Sequence, residues 1–204
     1  MTENMITIDK ERFNFLFYAF FGPSKEPFPT VSMRAYRDLC RTIPLNGKIG
    51  SECRMQVDSL IENRVVELLD SGINSHLGYD DWHYDTSIEM IDIYKAEDIT
   101  FTFGQAQKWI NMTMKYLYRH GAWDLSEIFP FLHVPIDSYI LTAAENQLHI
   151  QRPCSTWSKL DDYSFYLGYQ NALRERLHQQ SQTVDPLRWE FGSWLGEIKV
   201  RSLQ

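Results

Sequence analysis

Apolar residues recur at spacings of three and four along almost the whole chain, and hardly any stretch alternates β-branched and polar residues between turn signals. That period places apolar side chains on one face of an α-helix, so the sequence predicts an all-α fold, a single compact domain of about eight helices. The first is expected from Asp9 to Phe21, with Asp9 as N-cap and Gly22-Pro23 as the stop. Thr30 or Ser32 would cap a second, reaching about Arg41. The clearest runs from Ser51 to Leu69, with Met55, Leu60, Ile61, Val65, Val66 and Leu69 on one stripe and Gly72 closing it. Further helices are predicted over Asp85 to Tyr94 (Ile88, Met90 and Ile91 inward), Gly104 to Tyr118 or His120, Asp137 to about Leu148, Asp161 or Asp162 to His178, and from Pro186 onward.

At 204 residues with 44% hydrophobic and 23% charged content, the chain can bury a real core and has no disordered or low-complexity character. Twenty basic against 27 acidic residues leave a net charge of −7, which excludes recruitment of nucleic acid or anionic lipid by bulk charge. The charge is uneven. Between Glu52 and Asp98 twelve carboxylates face three bases, whereas from Ile99 to Trp123 there is no carboxylate and Lys108, Lys115 and Arg119 are present. Arg34, Arg37, Arg41, Lys48 and Arg54 form a second positive stretch, and the two together could flank a phosphate backbone. The apolar run Phe13 to Phe21 is too short to span a bilayer, no signal segment is recognised, and Cys40, Cys53 and Cys154 match no zinc or redox spacing; a cytoplasmic protein with reduced, buried or inert cysteines is expected. Aromatics reach 14%, more than a core this size needs, so some should line a pocket or an interface.

The most informative segment is Phe103-Gly104-Gln105-Ala106-Gln107-Lys108-Trp109-Ile110-Asn111, followed 29 residues after Lys108 by Asp137 in His133-Val134-Pro135-Ile136-Asp137-Ser138. Both Lys108 and Asp137 fall at the start of a predicted helix. The positive end of a helix dipole disfavours an ammonium and favours a carboxylate, which biases Lys108 toward the free amine and Asp137 toward the anion. A free amine beside a fixed carboxylate can attack an electron-poor carbon and form a Schiff base.

A glycine, a lysine opening a helix, and a later Val-Pro-(Val/Ile)-Asp opening the next resemble the helix-hairpin-helix DNA glycosylases, especially the 8-oxoguanine glycosylases. The resemblance covers Gly104 to Ala144. It implies a helix-hairpin-helix fold, DNA as partner, base excision with AP-lyase chemistry in DNA repair, Lys108 as nucleophile at the sugar C1′ and Asp137 as its activating acid. The family's hairpin reads Leu-x-Gly-(Val/Ile)-Gly where this chain has Phe101-Thr102-Phe103-Gly104. Gly104, Gln107, Lys115 and Arg119 would then follow the DNA backbone. Trp82, Trp109, Trp157, Tyr163 and Tyr166 are candidate walls for a base turned out of the stack, with His133 as a donor to it. Residues Gly104 to Thr113 also resemble a group of uncharacterised bacterial proteins, which implies no activity.

Other constellations are less specific. His83 and Asp85 with His120, His133 and His149 lack the i, i+3 or i, i+4 pairing of a metal motif, so neither metal nor other cofactor is expected. Arg174 and His178 are similar to the Arg/His pair of helical RNA-cleaving toxins but stand closer together. The last predicted helix, with Trp189, Phe191, Trp194 and Leu195, is aromatic enough to pack on the body or to form a dimer contact, packing being the default. The alternative to an enzyme is a non-catalytic helical protein that binds nucleic acid or a protein partner, with Lys108 and Asp137 only starting helices.

Overall fold

A computed structural model describes residues 10–22, 26–48, 50–121, 123–180 and 184–201. Among them are eight α-helices and no strand: α1 (Lys10–Phe21), α2 (Pro27–Arg37), α3 (Ser51–Asp70), α4 (His76–Ala96), α5 (Phe103–His120), α6 (Ser138–Leu148), α7 (Tyr163–Gln179) and α8 (Pro186–Arg201). Short 3₁₀ turns cover Cys40–Thr42, Phe129–Phe131 and Trp157–Lys159. The all-α architecture expected from the periodicity is the one present. No helix among the described residues is long and apolar enough to cross a membrane.

Helix ends follow local chemistry. Thr102 and Gln105 form a reciprocal capping box at the start of α5, which ends on left-handed Gly121 (φ 73). Asp137 caps α6 by accepting from the amides of Tyr139 and Ile140, and Asp162 caps α7. The expected cap Asp9 lies outside the described residues. Helix α2 starts earlier than expected because Pro27 occupies a first-turn position that needs no N–H, and Ser32 ends up buried within it.

Two helices differ from expectation. On α3 the buried stripe is Cys53, Val57, Ile61, Val65 and Leu68, whereas Met55 and Val66 are exposed. Helix α4 extends back to His76, twice the expected length, and its buried face includes Asp80, His83, Thr86 and Ser87. A helix whose inward positions are polar leaves no apolar stripe to read.

The buried apolar residues fall into two clusters. The larger joins α2, α3, α4 and most of α5 with the segment ending at Leu132; the smaller begins at Val134 and joins α6 and α7. Helix α8 closes over both, with Leu187 in the larger cluster and Trp189 and Trp194 against the smaller. Helix α5 runs through the middle, buried from Gly104 to Leu117. Its side facing α6 and α7 carries Gln107, Lys108 and Asn111, so the two clusters meet across polar groups rather than oil.

Candidate functional site

The start of α6 meets the second turn of α5 at Lys108. Helix α5 begins at Phe103, so Lys108 is its sixth residue and lies beyond the first turn in which the sequence predicts it and in which the helix dipole acts on an ammonium. The Lys108 Nζ donates to Oδ2 of Asp137 at 2.7 Å, with side chains 5% and 15% exposed. The other oxygen, Oδ1, accepts from Tyr139 N at 2.9 Å and Ile140 N at 3.0 Å. Burial pushes the Asp137 carboxyl up, but the Lys108 ammonium and these two amides more than cancel that and hold it below the ordinary carboxylate range. Asp137 is therefore an anion at neutral pH, a proton acceptor at contact distance from the lysine.

Adjacent residues fix this contact. Gln107 grips Ile136 at two points, accepting from Ile136 N at 3.1 Å and donating to Ile136 O at 2.9 Å. Gln170 of α7 does the same to Val134, accepting from its N at 3.1 Å and donating to its O at 2.8 Å. Within the extended run from His133 to Asp137, the backbone groups of Val134 and Ile136, on either side of Pro135, are thus met by side-chain amides.

Behind that run lies a buried network. Arg174 holds Asp80 with two nitrogens, at 2.6 and 3.0 Å, and His133 Nε2 meets the same carboxylate at 2.7 Å. Burial raises the Asp80 carboxyl, yet His133 and Arg174 bring it well below its usual range. Burial lowers His133 to about 4, so the ring is neutral at pH 7. The carboxylate then assigns the proton to Nε2, and Nδ1 accepts from the Tyr166 hydroxyl at 2.8 Å. That hydroxyl receives Asn111 Nδ2 at 2.9 Å and Gln170 Nε2 at 3.2 Å. Tyr163 donates to Asp80 O at 2.9 Å and sits 3.0 Å from His83 Nδ1. Burial also drives His83 well below its ordinary value.

Of the expected base-holding residues, Trp157 stands at the lysine, its ring centroid 5.9 Å from Nζ. Trp109 points instead to α2, its Nε1 donating to Ser32 Oγ, and Trp82 donates to Arg64 O on α3. His133, Tyr163 and Tyr166 belong to the Asp80 network, where their polar atoms are already partnered. The expected DNA-backbone residues are mostly internal. The Gly104 amide is spent on Leu160 O at 2.7 Å. Gln107 grips Ile136, Lys115 pairs with Glu190 of α8 at 2.6 Å, and only Arg119 reaches the surface, its guanidinium over Phe191. A row of phosphate contacts needs groups facing solvent, and three of these four face protein.

The positive stretch is largely neutralised as well. Arg34 pairs with Asp38 and Arg54 with Asp58, both at 3.0 Å, while Lys48 donates to Glu97 O and Asp98 O. Arg37 and Arg41 are exposed. Cavities of about 350 Å³ beside Ile99 and Phe101 and about 210 Å³ beside Ile73 and Ile128 are lined by neither Lys108 nor Asp137. Among the described residues no three His, Cys, Asp or Glu side chains converge as a metal site would require. The exposed cysteine is Cys154; Cys53 is buried.

Trp157, beside the lysine, belongs to an irregular strap, residues 151–160, that carries one 3₁₀ turn and packs on the start of α5 through Trp157, Ser158 and Leu160. Thr102 Oγ1 donates to Ser158 O at 2.9 Å, and Gly104 lies so close beneath that a Cβ there would stand 1.8 Å from Trp157 O. Glycine at 104 is thus required by close backbone approach.

No sequence signal marks Asp80, Gln170 or Glu190, and none gives Asn111 a role within the segment that carries it. Asp80 lies in a run of carboxylates that reads as a solvated face, and no spacing rule ties it to Arg174, 94 residues away. No protein-family model, curated protein or solved structure matches this chain.

Proposed function

We propose that the chain is a divergent DNA glycosylase with AP-lyase chemistry, in which Lys108 is the nucleophile and Asp137 its activating carboxylate. The observation that supports it is the 2.7 Å contact between Lys108 Nζ and an ionised Asp137. Asp137 takes a proton from the ammonium. The freed amine forms the Nζ–C1′ bond as the bond from C1′ to the damaged base breaks, the base leaving with the electron pair and taking the proton held by Asp137. Ring opening, with an Nζ proton passing to O4′, gives an imine on Lys108; a C2′ proton passes to the Asp137 carboxylate as the 3′ phosphate departs by β-elimination, and water hydrolyses the imine to release the enzyme. Access requires the strap at 151–160 to lift, which carries Trp157 away from Lys108 and opens room for a flipped nucleotide.

Borohydride in the presence of duplexes with oxidised or abasic sites tests this reading. Wild type should give a covalent complex, while Lys108→Ala, Lys108→Met and the shape-retaining Asp137→Asn should give little or none. Equal trapping by folded wild type and Lys108 variants removes Lys108 from the chemistry.

A second reading is favoured by a specific observation. Lys115 and Glu190 repeat the lysine–carboxylate pairing two turns along the same helix, and most expected phosphate contacts are internal. On that reading both pairs are clips that dock α6 and α8 on α5 in a non-catalytic interaction protein. Absence of any trapped complex, with an intact fold, selects it.

A further inference from the structure

Gln107 and Lys108 are consecutive, and so are Ile136 and Asp137. The first pair of contacts, Gln107 to Ile136, and the second, Lys108 to Asp137, have the same offset of 29 residues. One links side chain to backbone, the other side chain to side chain. A dipeptide on a helix is thus matched to a dipeptide on an extended run.

We propose that Gln107 is a positioning residue for the Lys108–Asp137 pair, fixing the register in which the carboxylate meets the lysine. Its significance for catalysis rests on the glycosylase reading; the positioning does not.

The extended run cannot hold its own register. Pro135 has no N–H, and Val134 and Ile136 find their partners in Gln170 and Gln107 rather than in a neighbouring strand. Slipping by one residue would present Ile136, not Asp137, to Lys108. The Gln107 amide is itself oriented: Nε2 also donates to Gly104 O at 3.0 Å, and Oε1 also accepts from Asn111 Nδ2 at 3.1 Å. With donor and acceptor both committed, only a side chain with both functions at this length satisfies Ile136. Glutamate lacks the donor, asparagine is one methylene short, and leucine or methionine leaves two buried backbone groups unmet.

The test is an NMR titration of the Asp137 carboxyl carbon in the whole chain, for wild type, Gln107→Asn, Gln107→Met and the comparator Ser32→Ala. Ser32 bonds Asp58 and Trp109 from inside the larger cluster and does not touch the run. In both Gln107 variants the Asp137 midpoint should move up by about 1 pH unit or more as the lysine contact loosens. Ser32→Ala should lower the melting temperature and leave the midpoint in place. If Gln107→Met does not fold, Gln107→Asn decides, since it keeps an amide in the pocket. An Asp137 midpoint unchanged in a folded Gln107 variant overturns the proposal. A wild-type chain that traps no DNA overturns only the glycosylase reading.

Discussion

Lys108 and Lys115 lie two turns apart on α5, both buried and both facing one carboxylate, yet the pairs are built differently. Asp137 is a helix cap, and both its oxygens are occupied: one by Lys108, the other by two amides. Glu190 meets Lys115 through Oε1, and its Oε2 finds no partner among the described residues. Burial raises Glu190 above the usual carboxylate range and lowers Lys115, and their mutual attraction does not fully offset either effect. The contrast shows that the lysine charge together with two amide donors outweighs the burial of Asp137, whereas the lysine contact on one oxygen does not outweigh that of Glu190. The neighbouring segments differ too, an irregular strap beside Lys108 and helix α8 over Lys115.

The largest effect should come from removing the better-satisfied carboxylate. Asp137→Ala leaves Lys108 buried without its anion, a loss of about 3–5 kcal/mol, and also deletes a helix cap worth about 1 kcal/mol. Asp137→Asn restores an oxygen to the two amides and should recover about the cap's share. Chemical denaturation measures both. If the two variants are equally stable, the cap contributes nothing and the contrast with Glu190 loses one of its supports.

Next comes the strap. Gly104→Ala drives a methyl group against the Trp157 carbonyl, so the strap must shift, at about 1–3 kcal/mol. Limited proteolysis between residues 151 and 156 should accelerate, and Lys108 should become reactive to amine reagents while Lys115, under α8, does not. Equal gains at both lysines would mean that the helix cover is no firmer than the strap.

These differences bear on what a sequence can disclose. The start of α6 was legible because Asp137 caps locally, and the end of α5 because Gly121 takes a left-handed turn there. The Lys108–Asp137 meeting was legible through two expected helix starts and a family resemblance, since nothing in a spacing of 29 fixes a distance. Lys115 was read as a surface base. Its partner, Glu190, lies 75 residues on in a helix read as an aromatic packing element, and only tertiary docking brings the two together. Likewise α4 hid half its length because Asp80 and His83, interleaved with Tyr79 and Trp82 on its inward face, serve Arg174, His133 and Tyr163 and break the apolar stripe.

A smaller effect is expected at the other pair. Glu190→Gln leaves Lys115 buried without its anion but keeps an oxygen for it to donate to, and since one Glu190 oxygen is unpartnered already it should cost about 1–3 kcal/mol, less than Asp137→Asn. Replacing the whole pair, Lys115→Met with Glu190→Leu, should fall within about 1 kcal/mol of wild type, because two desolvated charges and one orphan oxygen go together. A double variant as unstable as Lys115→Met alone would show that the pair is a net stabiliser, as Lys108–Asp137 is expected to be.

The finest distinction is the sign of the pH dependence. The Asp137 carboxyl is lower in the folded chain than its reference of 3.8, so its stabilisation is complete above that pH and is lost as pH falls through the folded value. Glu190 is raised above its reference of 4.5, so the folded chain holds its proton more tightly; that contribution is complete below 4.5 and is lost as pH rises through the folded value. His133 adds a loss on acidification between its reference of 6.5 and about 4, common to every variant. Subtracting curves cancels it. Melts between about pH 2.5 and 7 should therefore show the advantage of wild type over Asp137→Asn shrinking toward acid, and its advantage over Glu190→Gln shrinking toward neutrality. Curves that converge in the same direction would mean that the two carboxylates share one environment, and the distinction between a fully capped anion and a half-satisfied acid would fail.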